Sequence, residues 1–224
     1  MTPPSAAAPL REAVAAASRS LAAHGLVIGT AGNVSARSGD VVAVTATGIV
    51  LAEATAADVT VVDLDGTVVE GDYAPTSELA LHLGILRDAS PERVGAVVHT
   101  HAPAATALSL VLDELPVIHY QQLLLGGSLR VAPFAAFGTA ALADAVGLAL
   151  EGRLAALMAN HGAVALGATL QDAVDNALLV EWLADLYCRA STAGEPRSLD
   201  AAQQREVVAH AARLDYGSPK RVSA

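Results

Sequence analysis

The 224-residue chain is 53% hydrophobic, enough apolar material for one sizeable core, and only 3% aromatic, so that core is built from small aliphatic side chains. Its formal net charge of -10 excludes a broad basic surface for a nucleic-acid backbone, yet leaves room for a small anionic ligand held by a local cluster of donors. Cys188 is the single cysteine, which excludes an intrachain disulfide and fits a reducing compartment.

The N-terminal stretch is Ala-rich but broken by Arg11, Glu12 and Arg19, unlike the apolar block of a signal peptide. Residues from about 9 to 24 read as a helix stopped by Gly25. Short β-rich pieces follow: NVSAR, VVAVTAT and VTVVDLDGTVVEG, the last folding back at Asp65-Gly66. PTSELALHLGILRD reads as a helix with Leu79, Leu83 and Leu86 along one face. VGAVVHTH is a buried strand and APAATALSLVL a helix. SLRVAPFA is a strand, TAALADAVGLALEG a helix, and LAALMANHGAVALG two strands joined near Asn160-His161-Gly162. A long helix runs from about Leu170 to Thr192, with Asp172, Asp175, Glu181 and Asp185 on polar positions. One more helix lies in the tail. Irregular alternation of strands and helices points to α/β layers around a mixed sheet. No stretch of about twenty uncharged apolar residues resembles a membrane span. The expectation is one domain over residues 1–224, cytoplasmic, with neither nucleic acid nor membrane as partner, and a mobile tail from about residue 217.

Residues i and i+2 of a strand share a face, so His99 and His101 present two imidazoles together at the end of a buried run. Such a pair can share one zinc ion, or simply hydrogen-bond to backbone. His161, at the end of another apolar strand, favours the metal. Three neutral imidazoles leave a position open for substrate. His24 lies at a helix end, His210 in the tail, and His119 reads as a core or loop histidine. His82 stands one helical turn beyond Glu78, where it could orient that carboxylate.

Glu78 opens a helix, where an acidic residue ordinarily complements the dipole. The alternative is that Thr76, Ser77 and the helix N-terminus form an anion site, with Glu78 as a general base beside it. The turns GTAGNVS and TATGI would add Asn33, Thr47 and Gly48 as donors. No lysine or arginine clamp is evident.

Taken in order, GTAGNVSAR, TATGIV, PTSELALH, AVVHTHAPAATALS, IHYQQLLLGG, PFAAFGT, NHGAVALG and LDYG resemble the class II aldolase/adducin family, nearest its L-fuculose-1-phosphate aldolase type, from about residue 29 to 217. The resemblance implies a three-layer α/β/α fold with a largely antiparallel central sheet, in a homotetramer with active sites between subunits. It implies one Zn2+ per subunit on His99, His101 and His161, and substrate phosphate at Gly32, Asn33, Thr47, Gly48, Thr76 and Ser77. It makes Glu78 the catalytic acid/base and brings Tyr120 and Tyr216 in from a neighbouring subunit. The implied reaction is reversible cleavage of a phosphorylated ketose to dihydroxyacetone phosphate and an aldehyde through an enediolate. Sugar-acid phosphate decarboxylases and a methylthioribulose-phosphate dehydratase share the scaffold, glutamate and histidines. The 4-epimerases carry Asp at the position of Glu78, and adducin head domains lack the metal ligands. A zinc hydrolase is a further alternative.

Overall fold

Runs of Val and Ala, buried on both faces in the central strands, assemble into a central sheet. The computed structural model describes residues 7–214. Among these, nine strands form one sheet: β1 (Asn33–Ser38), β2 (Val41–Thr45), β3 (Val59–Asp63), β4 (Val68–Glu70), β5 (Ala96–Thr100), β6 (Glu114–Leu115), β7 (Leu129–Ala132), β8 (Ala155–Met158) and β9 (Gly162–Gly167). Their spatial order is β4-β3-β2-β1-β5-β9-β8-β7-β6. All neighbours are antiparallel except β7 and β8, which are parallel. The sheet is therefore mixed and largely antiparallel, as expected.

The α-helices among the described residues are α1 (Ala8–Ala23), α2 (Leu79–Asp88), α3 (Pro103–Ser109), α4 (Ala140–Ala149), α5 (Leu170–Ala193) and α6 (Ala201–Leu214). Two apolar clusters lie on opposite faces of the sheet. One joins α1, α3 and α5 to Val34, Ala96 and Val98; the other joins α2 and α4 to Val42, Val97 and Val164. Neighbours along β5 thus enter different cores, the period of two that a strand imposes. These are the three layers of an α/β/α architecture. No described helix is long and apolar enough to cross a membrane.

Local chemistry explains the boundaries. The hairpin between β3 and β4 turns where expected. Asp63 Oδ1 accepts from the backbone N–H groups of Asp65 and Thr67, and Gly66 takes φ 89°. Thr169 and Asp172 form a reciprocal capping box at the start of α5. Glu181 is not merely a polar position on α5. Its two carboxylate oxygens accept from the N–H groups of Ala104 and Ala105 at 2.9 and 2.8 Å, capping α3. Four elements have no counterpart in the sequence pattern: the two-residue β6 and 3-10 turns over Leu51–Glu53, Ala56–Asp58 and Tyr120–Leu125.

β9 lies so close to β5 that a Cβ added at Gly162 would collide with the carbonyl oxygen of Thr100. Gly162→Ala is expected to cost about 1–3 kcal/mol through this overpacking. Its effect should extend to the neighbouring histidines. Thermal melts and metal titration of the variant check both parts, and wild-type values in both would contradict the packing.

Candidate functional site

β5 is flanked by β1 and β9, with Asn33 opposite His99 on one side and Val164 opposite it on the other. His99 is fully buried on the α2 face. His101 follows the strand end, where its N–H donates to the carbonyl of Leu26 at 3.1 Å. His161 arrives from the turn between β8 and β9. That turn is closed by the His161 N–H donating to the Met158 carbonyl at 3.1 Å, with Asn160 at φ 58°. Asn is among the few side chains that tolerate this left-handed region. The three ring centroids lie 4.7, 4.8 and 5.0 Å apart.

One ligand nitrogen from each of His99, His101 and His161 falls within 4.8 Å of the others. The donor chemistry suits a divalent ion. His99 Nδ1 is 3.0 Å from the carbonyl of Ala163, so it carries the proton and leaves Nε2 bare. The Nε2 atoms of His99 and His101 approach to 3.0 Å, a repulsive arrangement if both are bare, and one that a shared cation relieves. Burial first, then neighbouring His99, holds His101 down to about 4 and lowers His161 as well. Both rings are therefore neutral near pH 7, the form that binds metal.

Glu78 is the residue immediately before α2, and its side chain does not cap that helix. It is 5% exposed and turns into the site instead. Oε2 accepts from Asn33 Nδ2 at 2.9 Å and lies 3.2 Å from His99 Nε2. Oε1 is buried with no hydrogen-bond partner and lies 3.7 Å from His161 Nε2. Burial raises the Glu78 pKa, but His99, Asn33 and His161 together bring it down to about 2. The carboxylate is ionised at neutral pH.

A cavity of about 270 Å³ opens beside these groups. Gly32, Asn33, Thr47, Gly48, Thr76 and Ser77 all line it, together with Glu78, His101 and His161. An isolated bridge between Ala46 and Pro75 brings the two donor segments together, and Thr47 and Thr76 donate their N–H groups to the carbonyls of Ala74 and Thr45, both at 3.0 Å. Gly32 is needed where it stands. Its φ is 95°, and a Cβ would lie 2.8 Å from Val27 and 3.0 Å from the carbonyl of His99. Thr30, Ala31, Ala46 and Phe137 line the same cavity without having been singled out.

Other sequence candidates fall elsewhere. Tyr120 is 42% exposed and does not line the cavity, and its ring lies 4.4 Å from that of His119. Tyr216 and the tail from about 217 lie outside the described residues. His119 is the loop histidine it reads as, accepting from Gln121 N–H and packing on Trp182. His24 Nδ1 meets Ser20 O at 2.8 Å at the end of α1, and His210 lies on α6. The His82 N–H donates to the Glu78 carbonyl at 3.3 Å, but the His82 ring bonds elsewhere than to the Glu78 carboxylate. Its Nε2 meets Asn33 Oδ1 at 2.5 Å, and its Nδ1 meets Ser35 Oγ at 2.7 Å. Ser35 was missed, although its place two residues beyond Asn33 on a strand is the signal that would have found it.

Acid should destabilise this site in the metal-free protein. Burial, then His99, depresses the His82 pKa from 6.5 to about 3. The unfolded chain takes up that proton first, so the contribution to stability is full above pH 6.5 and lost as pH falls toward 3. Glu78 adds to the loss over the lower window, from 4.5 to about 2, because the unfolded carboxylate protonates first. Melting temperature in chelator should fall steadily below about pH 6.5. A flat profile there would contradict the buried neutral histidine.

Comparison with known proteins agrees with this geometry. The class II aldolase and adducin N-terminal domain matches residues 12–188. The chain is similar to a 5-methylthioribulose-1-phosphate/5-deoxyribulose-1-phosphate aldolase of Rhodospirillum rubrum, 40% identical over 200 residues, covering 89% of each chain. It is also similar to the L-fuculose phosphate aldolase of Escherichia coli K12, 39% identical over 173 residues, covering 77% of this chain and 79% of that protein. A solved L-fuculose 1-phosphate aldolase superposes with a TM-score of 0.86 at 32% identity, over 95% of this chain and 98% of that one.

Proposed function

The chain belongs to the class II aldolase and adducin family, and from that premise we infer that it is a Zn2+-dependent aldolase for a ketose 1-phosphate, releasing dihydroxyacetone phosphate and an aldehyde. One observation carries the reading: three imidazoles converge, and two of them, His101 and His161, line a cavity with an ionised glutamate and a neutral donor cluster. The favoured substrates are 5-deoxyribulose 1-phosphate and 5-methylthioribulose 1-phosphate. A relative that covers 89% of this chain carries those names, and Phe137 gives the cavity an apolar border. L-Fuculose 1-phosphate is the second reading, supported by the structural likeness. The named relatives are aldolases, which favours carbon–carbon cleavage over decarboxylation or dehydration.

His99, His101 and His161 would hold the ion, which when bound supplies Lewis-acid polarisation of the substrate's carbonyl and hydroxyl oxygens. The chain's own groups do the rest. Gly32, Asn33, Thr47, Gly48, Thr76 and Ser77 hold the phosphate through backbone and side-chain donors, and so fix the ketose relative to Glu78. In the condensation direction, the Glu78 carboxylate takes a proton from the hydroxymethyl carbon of dihydroxyacetone phosphate. That carbon's electron pair forms the new bond to the aldehyde carbon. A tyrosine hydroxyl then gives its proton to the aldehyde oxygen. Cleavage runs the same transfers backwards. Tyr120 is that donor in this reading, with Tyr216, both supplied by a neighbouring copy in a homotetramer. The exposure of Tyr120 away from its own cavity supports that assignment.

Retro-aldol assays on the three ketose 1-phosphates, with added zinc and with chelator, test the function. Dihydroxyacetone phosphate should appear fastest from the 5-deoxypentulose substrates and stop on chelation. Its absence from all three would sink the aldolase reading. His101→Ala should lose metal and activity together, and full zinc occupancy in that variant would refute the ligand. Glu78→Gln should keep its metal and lose proton exchange into dihydroxyacetone phosphate by about 100-fold or more.

A further inference from the structure

His82 has no role in the reaction as described, yet it is a fully buried imidazole bonded on both nitrogens. The bonds have one consistent direction. An ionised carboxylate only accepts, so Asn33 must turn its NH2 group toward Glu78 and its carbonyl oxygen toward His82. His82 must then carry its proton on Nε2, leaving Nδ1 bare. The hydroxyl of Ser35, 2.7 Å away, donates to that bare nitrogen. Three donors point the same way, from Ser35 through His82 and Asn33 to Glu78, and such chains polarise one another. The layout follows from secondary structure. Asn33 and Ser35 share a face of β1, and His82 sits one turn into α2 directly after Glu78.

We propose that His82, with Ser35 behind it, is a positioning residue for the aldol chemistry: it locks the Asn33 amide, which ties down Oε2 of Glu78 and leaves Oε1 presented to the substrate proton. This rests on the reading of Glu78 as the proton-moving group. His82 touches neither substrate nor metal ligands and acts only through Asn33. The neutrality that burial imposes on it keeps Nδ1 available to Ser35.

The test compares His82→Leu, His82→Gln, Ser35→Ala and Glu78→Gln in the zinc-loaded protein. Leucine fills similar space without donors, whereas glutamine can restore the donor to Asn33. His82→Leu should slow kcat and proton exchange into dihydroxyacetone phosphate by roughly 10- to 100-fold, with KM and zinc content close to wild type. His82→Gln should recover most of the exchange, and Ser35→Ala should lose about two- to fivefold. Wild-type exchange in His82→Leu, or loss of its zinc, overturns the positioning role. Wild-type exchange in Glu78→Gln instead overturns the function reading. A dead Glu78→Gln beside a fully active His82→Leu sinks the positioning role alone. Should His82→Leu not fold, nitrogen-15 NMR of histidine-labelled wild-type protein decides. A ring protonated on Nε2 supports the chain, and one protonated on Nδ1 overturns it.

Discussion

The antiparallel register of β5 between β1 and β9 fixes where every group of the site can stand. Asn33 is placed opposite His99 across one ladder, and Thr100 is pressed against Gly162 across the other. Backbone pairing thus sets the separation of the first two imidazoles and the arrival point of the third. Side chains at these positions inherit a geometry they do not have to create. This is why Gly32 and Gly162 matter despite offering no functional group. Each lets one strand or loop approach the β5 backbone more closely than a Cβ permits.

On that frame the electrostatics are internally consistent. Burial disfavours protonated imidazole and keeps His82, His101 and His161 neutral. Burial also disfavours ionised Glu78, but its neighbours His99, Asn33 and His161 outweigh it. The result is one fixed anion beside neutral nitrogen donors, an arrangement that attracts a cation. Thr47, Gly48, Thr76 and Ser77 line the same cavity and offer polar donors without a charged side chain.

Much of this was legible in the chain itself. The period of two placed His99 and His101 on one side, and NHG after an apolar run brought in His161. The hairpin at Asp65-Gly66 and the long α5 also followed from local signals. Glu78 was ambiguous, because an acidic residue at a helix start serves the dipole as readily as a reaction. Only its tertiary contacts with Asn33 and His99 show that its side chain leaves the helix end uncapped and turns into the site. Helical spacing points His82 at Glu78, whereas the side-chain contact runs by way of a strand residue 49 positions away. Glu181 was illegible for a similar reason. Its partners belong to another helix, and nothing in its own neighbourhood announces them. The Tyr120–Leu125 turn is too short for a periodic pattern to reveal.

The order of the strands has a further effect on how this molecule can associate. The two rims of the sheet are occupied by stubs: β4 spans three residues and β6 two. Each offers scarcely one repeat of ladder to an incoming chain, so extension of the sheet from molecule to molecule has almost nothing to grip. Open-ended β-stacking at these rims is thereby disfavoured, which leaves helical and loop surfaces as the ground for any contact with another molecule.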